Sequence, residues 1–592
     1  MARPFIIFAL ALSFALGAAG QPRPAGAAAP AGRTPAIDER TSGMLKLEGY
    51  FPLYWDERTG SLWLEIPRFD MDFLYATGLA AGLGSNDIGL DRGQEGAGKI
   101  VSFQRVGPKV LLVEANQSFR SSSANAAERR SVEDSFARSV LWGFTVAAES
   151  NGRVLVDATD FLLRDGHGAG NRLGSGAGVY RVDRTRSAFY LPRTKAFPKN
   201  TEVEVTLTFT NEAASGRGGG FGPGPAQGPP SIQVPTPGAT AAGAGRGGRG
   251  GGLFSGTVAS VTPTAEAVTL REHYSLVELP DNNFQPRLDD PRAGYGGLSF
   301  VDYSVPIGEP MVERYIRRHR LEKKDPSAAI GDPVKPIQYW VDPGAPEDVR
   351  KALVEGASWW NQAFEAAGFR NAFQVAVLPE GADPMDIRYN MINWVHRSTR
   401  GWSYGGGVVD PRTGEILKGV VTLGSLRLQQ DWMIAEGLLQ PYKNGDEQVP
   451  EIQAWSLQRL RQLAAHEVGH SLGFDHNYYD SDSGRISVMD YPSPLVTLKG
   501  DGTLDASQVY ADGIGAWDKV AIAYGYQDFP RGTNEAQALR NILDRAWDHD
   551  LRFLTNQDTD VNPRADQWSN GTNAATELDR MMAVRRVALA CA

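Results

Sequence analysis

The sequence predicts an α+β protein in which a mainly antiparallel β region precedes a second, mixed domain built around a long helix. Two observations lead to this fold class. Short strand-like runs bounded by Gly, Asn and Asp fill much of residues 43–325, whereas strands and amphipathic helices follow one another in residues 334–530. Three of the eight histidines fall within one stretch of eleven residues, 466–476, which begins on one of those helices and indicates a functional site in the second domain.

The composition is that of a globular, acidic protein. The chain has 592 residues, enough for about three or four domains at roughly 100–200 residues each. Hydrophobic residues make up 42% and charged residues 22%, which excludes a largely disordered chain. The formal net charge of −9 argues against a nucleic-acid partner, which usually meets a basic face. Cys591 is the only cysteine, so we expect no intrachain disulfide, and any metal must bind histidines and carboxylates.

The N-terminus has the pattern of a secretory signal peptide. A short basic start precedes the apolar run 4–19, and small residues lie near Gly20. We therefore expect residues 1–20 to be removed and the protein to be exported, to the periplasm or the medium; the alternative is an uncleaved anchor. No cysteine stands at the cleavage point for a lipid anchor, and no other apolar stretch is long enough to span a membrane. Residues 21–42, rich in Ala, Pro and Gly, predict a flexible leader.

The β region is interrupted by a low-complexity insert at residues 213–252. The main strand-like runs before it are 61–67, 109–114, 153–157 and 201–209, with a short helix expected near 126–138. The Gly- and Pro-rich composition of the insert cannot bury enough surface to order itself. Strand-like runs resume at 256–261 and 265–270, so we expect a loop inside one β domain. Its Arg-Gly tracts do not favour RNA binding in an acidic, exported chain.

The mixed domain is predicted over residues 334–530, after the sequence pattern changes near 320–335 from short strand-like runs to alternating strands and helices. Its predicted strands are 336–342, 373–378, 386–395, Tyr404–Val409 and 415–423, and its predicted helices are 346–368, 456–472 and 515–524. Residues 531–592 add a helical segment that includes Ala574–Ala590. That helix stops abruptly, so a truncated C-terminus is one expectation and a natural end is the other.

The chemistry of the chain is concentrated in the motif His-Glu-x-x-His-x-x-Gly-x-x-His. His466 and His470 are four residues apart, so both imidazoles lie on one helix face and can share an ion. Glu467 lies within reach of a water beside that ion, and Gly473 allows a sharp turn that returns His476 as a third ligand. Three imidazoles leave zinc an open position, as in catalytic sites. The alternative, three unrelated histidines with satisfied hydrogen bonds, requires this spacing to arise by chance.

With Ser487-Val-Met-Asp-Tyr491 downstream, residues 334–526 resemble a catalytic domain of the metzincin clan of zinc endopeptidases. The resemblance implies a mixed twisted sheet, an active-site helix, a methionine turn and a C-terminal helix. It implies Glu467 as general base, Met489 as a hydrophobic floor and Tyr491 as an extra ligand or transition-state donor; otherwise Tyr491 is a packed aromatic. The implied zinc ligands are His466, His470 and His476.

The chain also departs from the best-known metzincin subfamilies. Asn477 follows the third histidine where astacins have Glu and reprolysins Asp, and no cysteine precedes the domain to serve as a cysteine switch. As a whole, the chain resembles a group of exported bacterial metzincin-like proteins with a long N-terminal β region. Together these features predict a zinc-dependent endopeptidase acting on protein or peptide substrates.

Several secondary expectations complete this interpretation. Substrate is expected to lie extended against the edge strand Tyr404–Val409, although a simple loop would also fit its glycines. His396 is expected to be structural. A calcium ion bound by acidic residues is one expectation, and a solvated loop is the other; the acidic residues are Asp475, Asp480 and Asp482.

Two other functions remain open from the sequence. The chain could be a surface- or glycan-binding β protein whose metzincin domain is ancillary or inactive, or a scaffold with a degenerate domain. Residues 43–325 could also act as a regulatory prodomain. The sequence leaves substrate preference and oligomeric state open.

Overall fold

The computed structural model describes residues 33–174, 178–211, 257–439 and 450–590. The predicted signal peptide and the insert at 213–252 lie outside these described residues. Of the predicted flexible leader, residues 33–42 are described, and they differ from that expectation. Residues Ile37–Arg40 form helix α1 because Ile37 is buried in a small apolar cluster with Tyr54 and Trp63.

The N-terminal part of the chain is built mainly from antiparallel strands, which confirms the predicted β region. In chain order its strands are β1 (Leu45–Leu47), β2 (Leu53–Asp56), β3 (Ser61–Ile66), β4 (Asp72–Ala81), β5 (Gln94–Glu95), β6 (Lys99–Val106), β7 (Lys109–Glu114), β8 (Phe119–Arg120), β9 (Ser139–Ser150), β10 (Arg153–Asp157), β11 (Tyr180–Val182), β12 (Ala188–Phe189), β13 (Lys195–Phe197), β14 (Asn200–Asn211), β15 (Ala267–Glu278), β16 (Gly297–Asp302) and β17 (Val312–Ile316). Its further helices are α2 (Ala126–Ser135), α3 (Thr159–Leu162), α4 (Ala169–Leu173) and α5 (Val258–Val261). All the strands except β8, β16 and β17 join one large sheet, and those three form a second.

One predicted strand in this region is wrong. The run 256–261 contains the helix α5 in place of a strand. Val258 and Val261 are three residues apart and both pack on the apolar core of the large sheet, which suits one helical turn. Tertiary packing therefore outweighs the strand preference of the β-branched residues in this run.

The C-terminal part has a five-stranded mixed sheet in the order β19-β18-β20-β22-β21. Its strands are β18 (Ile337–Val341), β19 (Phe373–Val377), β20 (Asn390–Val395), β21 (Tyr404–Val409) and β22 (Ile416–Gly424), followed by the short pair β23 (Thr497–Leu498) and β24 (Leu504–Asp505). Its helices are α6 (Glu347–Ser358), α7 (Trp360–Ala366), α8 (Leu426–Leu439), α9 (Pro450–Ser471), α10 (Ala516–Tyr526), α11 (Glu535–Asp548) and α12 (Ala574–Ala590). Neighbouring strands are parallel except for β21, which pairs antiparallel with β22 at the edge.

The main elements predicted for this part are confirmed, and the differences that bear on the site concern two helical regions. The single helix predicted over 346–368 is two helices, α6 and α7, which meet at Trp359. Helix α8 was not predicted, because its buried residues are Asp431 and Ala435 and it lacks an apolar stripe. Helix α12 has the predicted bounds.

Helix α9 is held from behind by α6 and α7. At Gly356 the two helices α6 and α9 approach so closely that a side chain would overlap the carbonyl oxygen of Arg461. The indole Nε1 of Trp360 donates a hydrogen bond of 2.8 Å to the carbonyl of Ala465. These contacts fix the height and rotation of α9 against the sheet.

The core around α9 also includes residues from before residue 334. Tyr295, Ile316 and Leu321 are buried in the same apolar cluster as Trp360. The chain therefore contributes to the C-terminal core before the change in sequence pattern near 320–335. The domain limits 43–325 and 334–530 stay predictions. None of the helices in the described ranges combines the length and the apolar character needed to cross a membrane.

Candidate active site

Helix α9 carries the first two histidines of the motif on one face. The Nδ1 of His466 donates a hydrogen bond of 2.7 Å to the carbonyl of Val488, and the Nδ1 of His470 donates one of 2.7 Å to the carbonyl of Phe474. Because a carbonyl only accepts hydrogen bonds, each Nδ1 carries the proton. The Nε2 atom of each ring is left with a lone pair, the form in which histidine binds a metal.

The third histidine is returned to the site by a turn at Gly473. Its φ of +110° lies in a region that favours glycine, and a side chain there would overlap the carbonyl oxygen of Arg317. The turn brings the Nε2 atoms of His470 and His476 to 3.0 Å from each other. Ligand atoms of His466, His470 and His476 all lie within 4.8 Å of one another, and no other such group occurs in the described ranges.

The three imidazoles fit a zinc ion. Burial lowers the pKa of all three, that of His466 well below its ordinary value and that of His476 to about 3, so the rings are neutral. Two neutral Nε2 atoms that face each other at 3.0 Å are stabilised by a cation between them. Three neutral imidazoles are the donor set of catalytic zinc sites.

Glu467 is buried beside the histidines. Its Oε2 atom is inaccessible to solvent and has no hydrogen-bond partner among the described residues. Burial raises the pKa of Glu467 to about 8 in the metal-free site, and Arg459 and Arg427 act to lower it. A cation bound by the three histidines would lower it further and favour the carboxylate form. A buried carboxylate oxygen without a partner is costly in a structural role, and it suits a group that exchanges a proton with a substrate or water.

The methionine turn lies directly under α9. Met489 is fully buried, and its side chain packs so closely against Gly469 that a larger residue there would overlap the sulfur. Asp518 holds the turn by accepting hydrogen bonds from Ser487 Oγ at 2.6 Å and from the Val488 N–H at 2.9 Å. Asp518 was not singled out from the sequence.

Tyr491 lies next to the histidines. Its ring centroid is 4.5 Å from that of His476 and 5.4 Å from that of His466. Burial raises the pKa of Tyr491 to about 12, so its hydroxyl keeps its proton near neutral pH.

A segment after α11 supports the loops that carry His476 and Tyr491. The side-chain amide of Asn477 donates a hydrogen bond of 2.9 Å to the carbonyl of Arg552, and its Oδ1 accepts one of 3.2 Å from the Leu554 N–H. The Trp568 N–H donates one of 3.0 Å to the carbonyl of Tyr491. Asn477 both donates and accepts here, which a carboxylate cannot do, and this explains the departure from Glu or Asp at this position.

The edge strand β21 runs beside α9. At Gly405 a side chain would overlap the carbonyl oxygen of Glu467, whereas at Gly406 nothing lies within 4 Å of the Cβ position. Gly405 therefore serves the approach of strand to helix. The structure places β21 at the sheet edge, with β22 as its one neighbour in the described residues, so the edge is available to an extended peptide.

The N-terminal region holds the segment that leads into β21. The Asp91 carboxylate accepts two hydrogen bonds of 2.8 Å from Arg397 and one of 2.9 Å from the Tyr404 hydroxyl. Nearby, the Ser398 N–H donates a 2.8 Å hydrogen bond to the carbonyl of Gly84. No local sequence signal links these residues, since Asp91 and Arg397 are 306 positions apart.

Two other groups of predicted residues lie outside this arrangement. His396 follows β20, is exposed, and has its Nδ1 2.9 Å from Ser425 Oγ, which agrees with a structural role. The three acidic residues expected to bind calcium do not bring their ligand atoms within 4.8 Å of one another, as the histidines do. These residues are Asp475, Asp480 and Asp482. Calcium binding stays a prediction.

Residues 448–591 match the family model described as Met-zincin. Together with the histidine cluster, this match supports a zinc metalloprotease activity in the C-terminal part of the chain. Residues 93–324 match a model described as a domain of unknown function (DUF5117). No curated protein and no solved structure matches the chain.

Proposed function

We propose that this protein is an exported endopeptidase that hydrolyses internal peptide bonds, with Glu467 as the general base. The observation that carries the proposal is the unpartnered, buried Oε2 atom of Glu467 beside three neutral imidazoles. A carboxylate in that position is suited to take a proton from water at the moment of attack.

The residues of the site have separate tasks in this mechanism. Zinc, when bound by His466, His470 and His476, lowers the pKa of water and polarises the scissile carbonyl. The Oε2 atom of Glu467 accepts the proton of the attacking water and passes it to the leaving amine. The Tyr491 hydroxyl donates a hydrogen bond to the oxyanion that forms on the substrate.

The edge strand β21 provides the binding surface for the substrate. An extended peptide can add to its free edge through main-chain hydrogen bonds. A segment from the middle of a chain can pair in this way as well as a chain end, which supports cleavage of internal bonds.

Export is supported by the apolar run 4–19 behind a basic start. The expected outcome is a mature protein outside the cytoplasm that lacks residues 1–20. Cell fractionation followed by N-terminal sequencing tests it, and a full-length cytoplasmic chain would contradict it.

A substitution at Glu467 tests the proposed reaction. Glu467→Gln keeps the three histidines, so we expect zinc at about one ion per chain while hydrolysis of casein and peptides falls by about 10²–10⁴-fold. Glu451→Gln makes the same change at an exposed position of the same helix and should leave both unchanged. A Glu467→Gln enzyme that cleaves at the parent rate would show that Glu467 is not the base.

The alternative of a surface- or glycan-binding protein with an inactive domain has less support. A degenerate site commonly lacks a ligand or the base, whereas this chain keeps all three histidines and Glu467. The contact of Asp91 with Arg397 and Tyr404 also joins the N-terminal region to the start of the edge strand β21.

A further inference from the structure

Three arginines lie near one another, and two of them lie near Glu467. Arg427 and Asp431 lie on α8, Arg459 lies on α9, and Arg400 lies in the segment that leads into β21. Arg427 and Arg459 are both near enough to lower the pKa of Glu467 against the effect of burial. We call Arg400, Arg427 and Arg459 the arginine cluster.

The arginine cluster is short of negative charge. Asp431 is occupied by Arg427, whose Nε and Nη2 atoms donate to it at 3.0 and 2.8 Å. Arg459 is 3% exposed and donates to the neutral side chain of Gln462. Even with Glu467 counted, three cations face two carboxylates among the residues that the structure describes.

Two guanidinium nitrogens of the cluster also lack hydrogen bonds. The Nε atoms of Arg400 and Arg459 are both inaccessible to solvent and have no partner in the described part of the chain. Burial lowers the pKa of each of these arginines to about 10, and neighbouring Arg427 adds to the effect. Buried charges are normally paired, so among the described residues the cluster is short of an anion.

We propose that the arginine cluster binds a carboxylate of the substrate, so that the enzyme prefers peptides with Asp or Glu next to the scissile bond. The proposal rests on the peptidase function proposed above. Arg400 is the member nearest in sequence to the edge strand, and its guanidinium stacks over the Trp402 ring at 5.0 Å. Guanidinium groups recognise carboxylates through paired, charge-assisted hydrogen bonds.

The carboxylate has two sources, an acidic side chain or the C-terminus of a peptide. Matched peptides separate them: one set carries Glu or Gln beside the cleaved bond, and each member is made with a free and with an amidated C-terminus. We expect the parent enzyme to cleave the Glu peptide with a kcat/KM at least tenfold above that of the Gln peptide. A Glu preference that survives amidation assigns the carboxylate to the side chain. Equal cleavage of the Glu and Gln peptides, with a loss of rate when either is amidated, would assign it to the chain end and overturn the preference for acidic side chains.

Arg400→Gln then tests whether the cluster causes the preference. We expect the Glu-to-Gln ratio of kcat/KM to fall about tenfold, mainly through a higher KM for the Glu peptide, and Arg400→Lys to restore part of it. The control Arg370→Gln removes an exposed arginine elsewhere in the domain and should leave the ratio unchanged.

The outcome is distinguishable from a failure of the peptidase proposal. An enzyme that cleaves both peptides equally, or whose preference persists in Arg400→Gln, refutes the carboxylate site while leaving the peptidase intact. An arginine cluster that serves Glu467 alone would give the same change in rate for every peptide. If neither peptide is cleaved by the zinc-loaded parent, the proposed function itself is wrong.

Discussion

Replacing Asp91 tests whether cleavage depends on the N-terminal region. Asp91 is 4% exposed and holds both Arg397 and the Tyr404 hydroxyl at the start of the edge strand. In Asp91→Ala these groups lose their acceptor. The Arg397 guanidinium keeps one hydrogen bond of 2.9 Å, to the carbonyl of Trp402, and remains buried without a counter-charge.

The magnitude follows from the burial of the pair. Removing one partner of a buried ion pair costs about 3–5 kcal/mol, because the other charge is left uncompensated. At about 1.4 kcal/mol per tenfold change, the lower figure shifts the equilibrium between a held and a released segment by roughly 100-fold. We therefore expect kcat/KM for a peptide to fall by about 10–100-fold, with zinc content unchanged since the histidines are not touched.

Two measurements check this expectation. Peptide kinetics report the loss of kcat/KM, and hydrogen exchange reports faster exchange of the amides in Tyr404–Val409. Glu65→Ala is a matched control, because Glu65 is also buried and accepts hydrogen bonds from a tyrosine and an arginine, Tyr54 and Arg153, each at 2.6 Å. That control should lower the Tm but leave cleavage by the folded enzyme and exchange in the edge strand unchanged.

An Asp91→Ala enzyme that retains the parent kcat/KM and the parent exchange rates in the edge strand would contradict this prediction. The N-terminal region would then be a separate unit that only touches the cleft. Equal losses in Asp91→Ala and Glu65→Ala would point to general destabilisation as the cause.

Three further predictions follow from the site and the large sheet. Gly405→Ala should lower kcat/KM at least tenfold by pushing the edge strand away from the helix, whereas Gly406→Ala should not; equal effects would contradict the overlap. Tyr491→Phe should lower kcat by roughly 10–1000-fold with KM and zinc content little changed, and a fully active variant would make Tyr491 a packing residue. Burial lowers the pKa of His273, but two neighbouring glutamates outweigh it and raise the pKa to about 10. Its contribution to stability is therefore complete below the unfolded pKa of about 6.5 and is lost as the pH rises towards 10, so the Tm should fall over that interval, and His273→Gln should flatten the profile.

The parts of the site that the sequence predicts are those set by local geometry. His466 and His470 meet because a helix repeats every 3.6 residues, and Gly473 turns the chain because its conformation suits glycine. Helix periodicity could also have predicted that Arg459 lies on the same face as His466, because it precedes His466 by seven residues, about two helical turns.

The remaining parts depend on contacts that no local pattern records. Asp91 reaches Arg397 across 306 positions, and Asn477 reaches Arg552 across 75. Helix α8 buries Asp431, so its amphipathic pattern is weak even though it supplies Arg427 to the site. The order of elements could thus be predicted, whereas the partners of Arg397 and Asn477 and the presence of helix α8 could not.

The contacts of Asn477 and Tyr491 with the segment after α11 also determine when the site can form during translation. A ribosome makes the helix with His466 and His470 well before Arg552, Leu554 and Trp568, which hold the loops of the third histidine and the tyrosine. A growing chain therefore carries two histidines in place while the rest of the site waits for residues that are still untranslated. For an enzyme that cuts proteins, this order delays activity until the chain has been translated as far as Trp568.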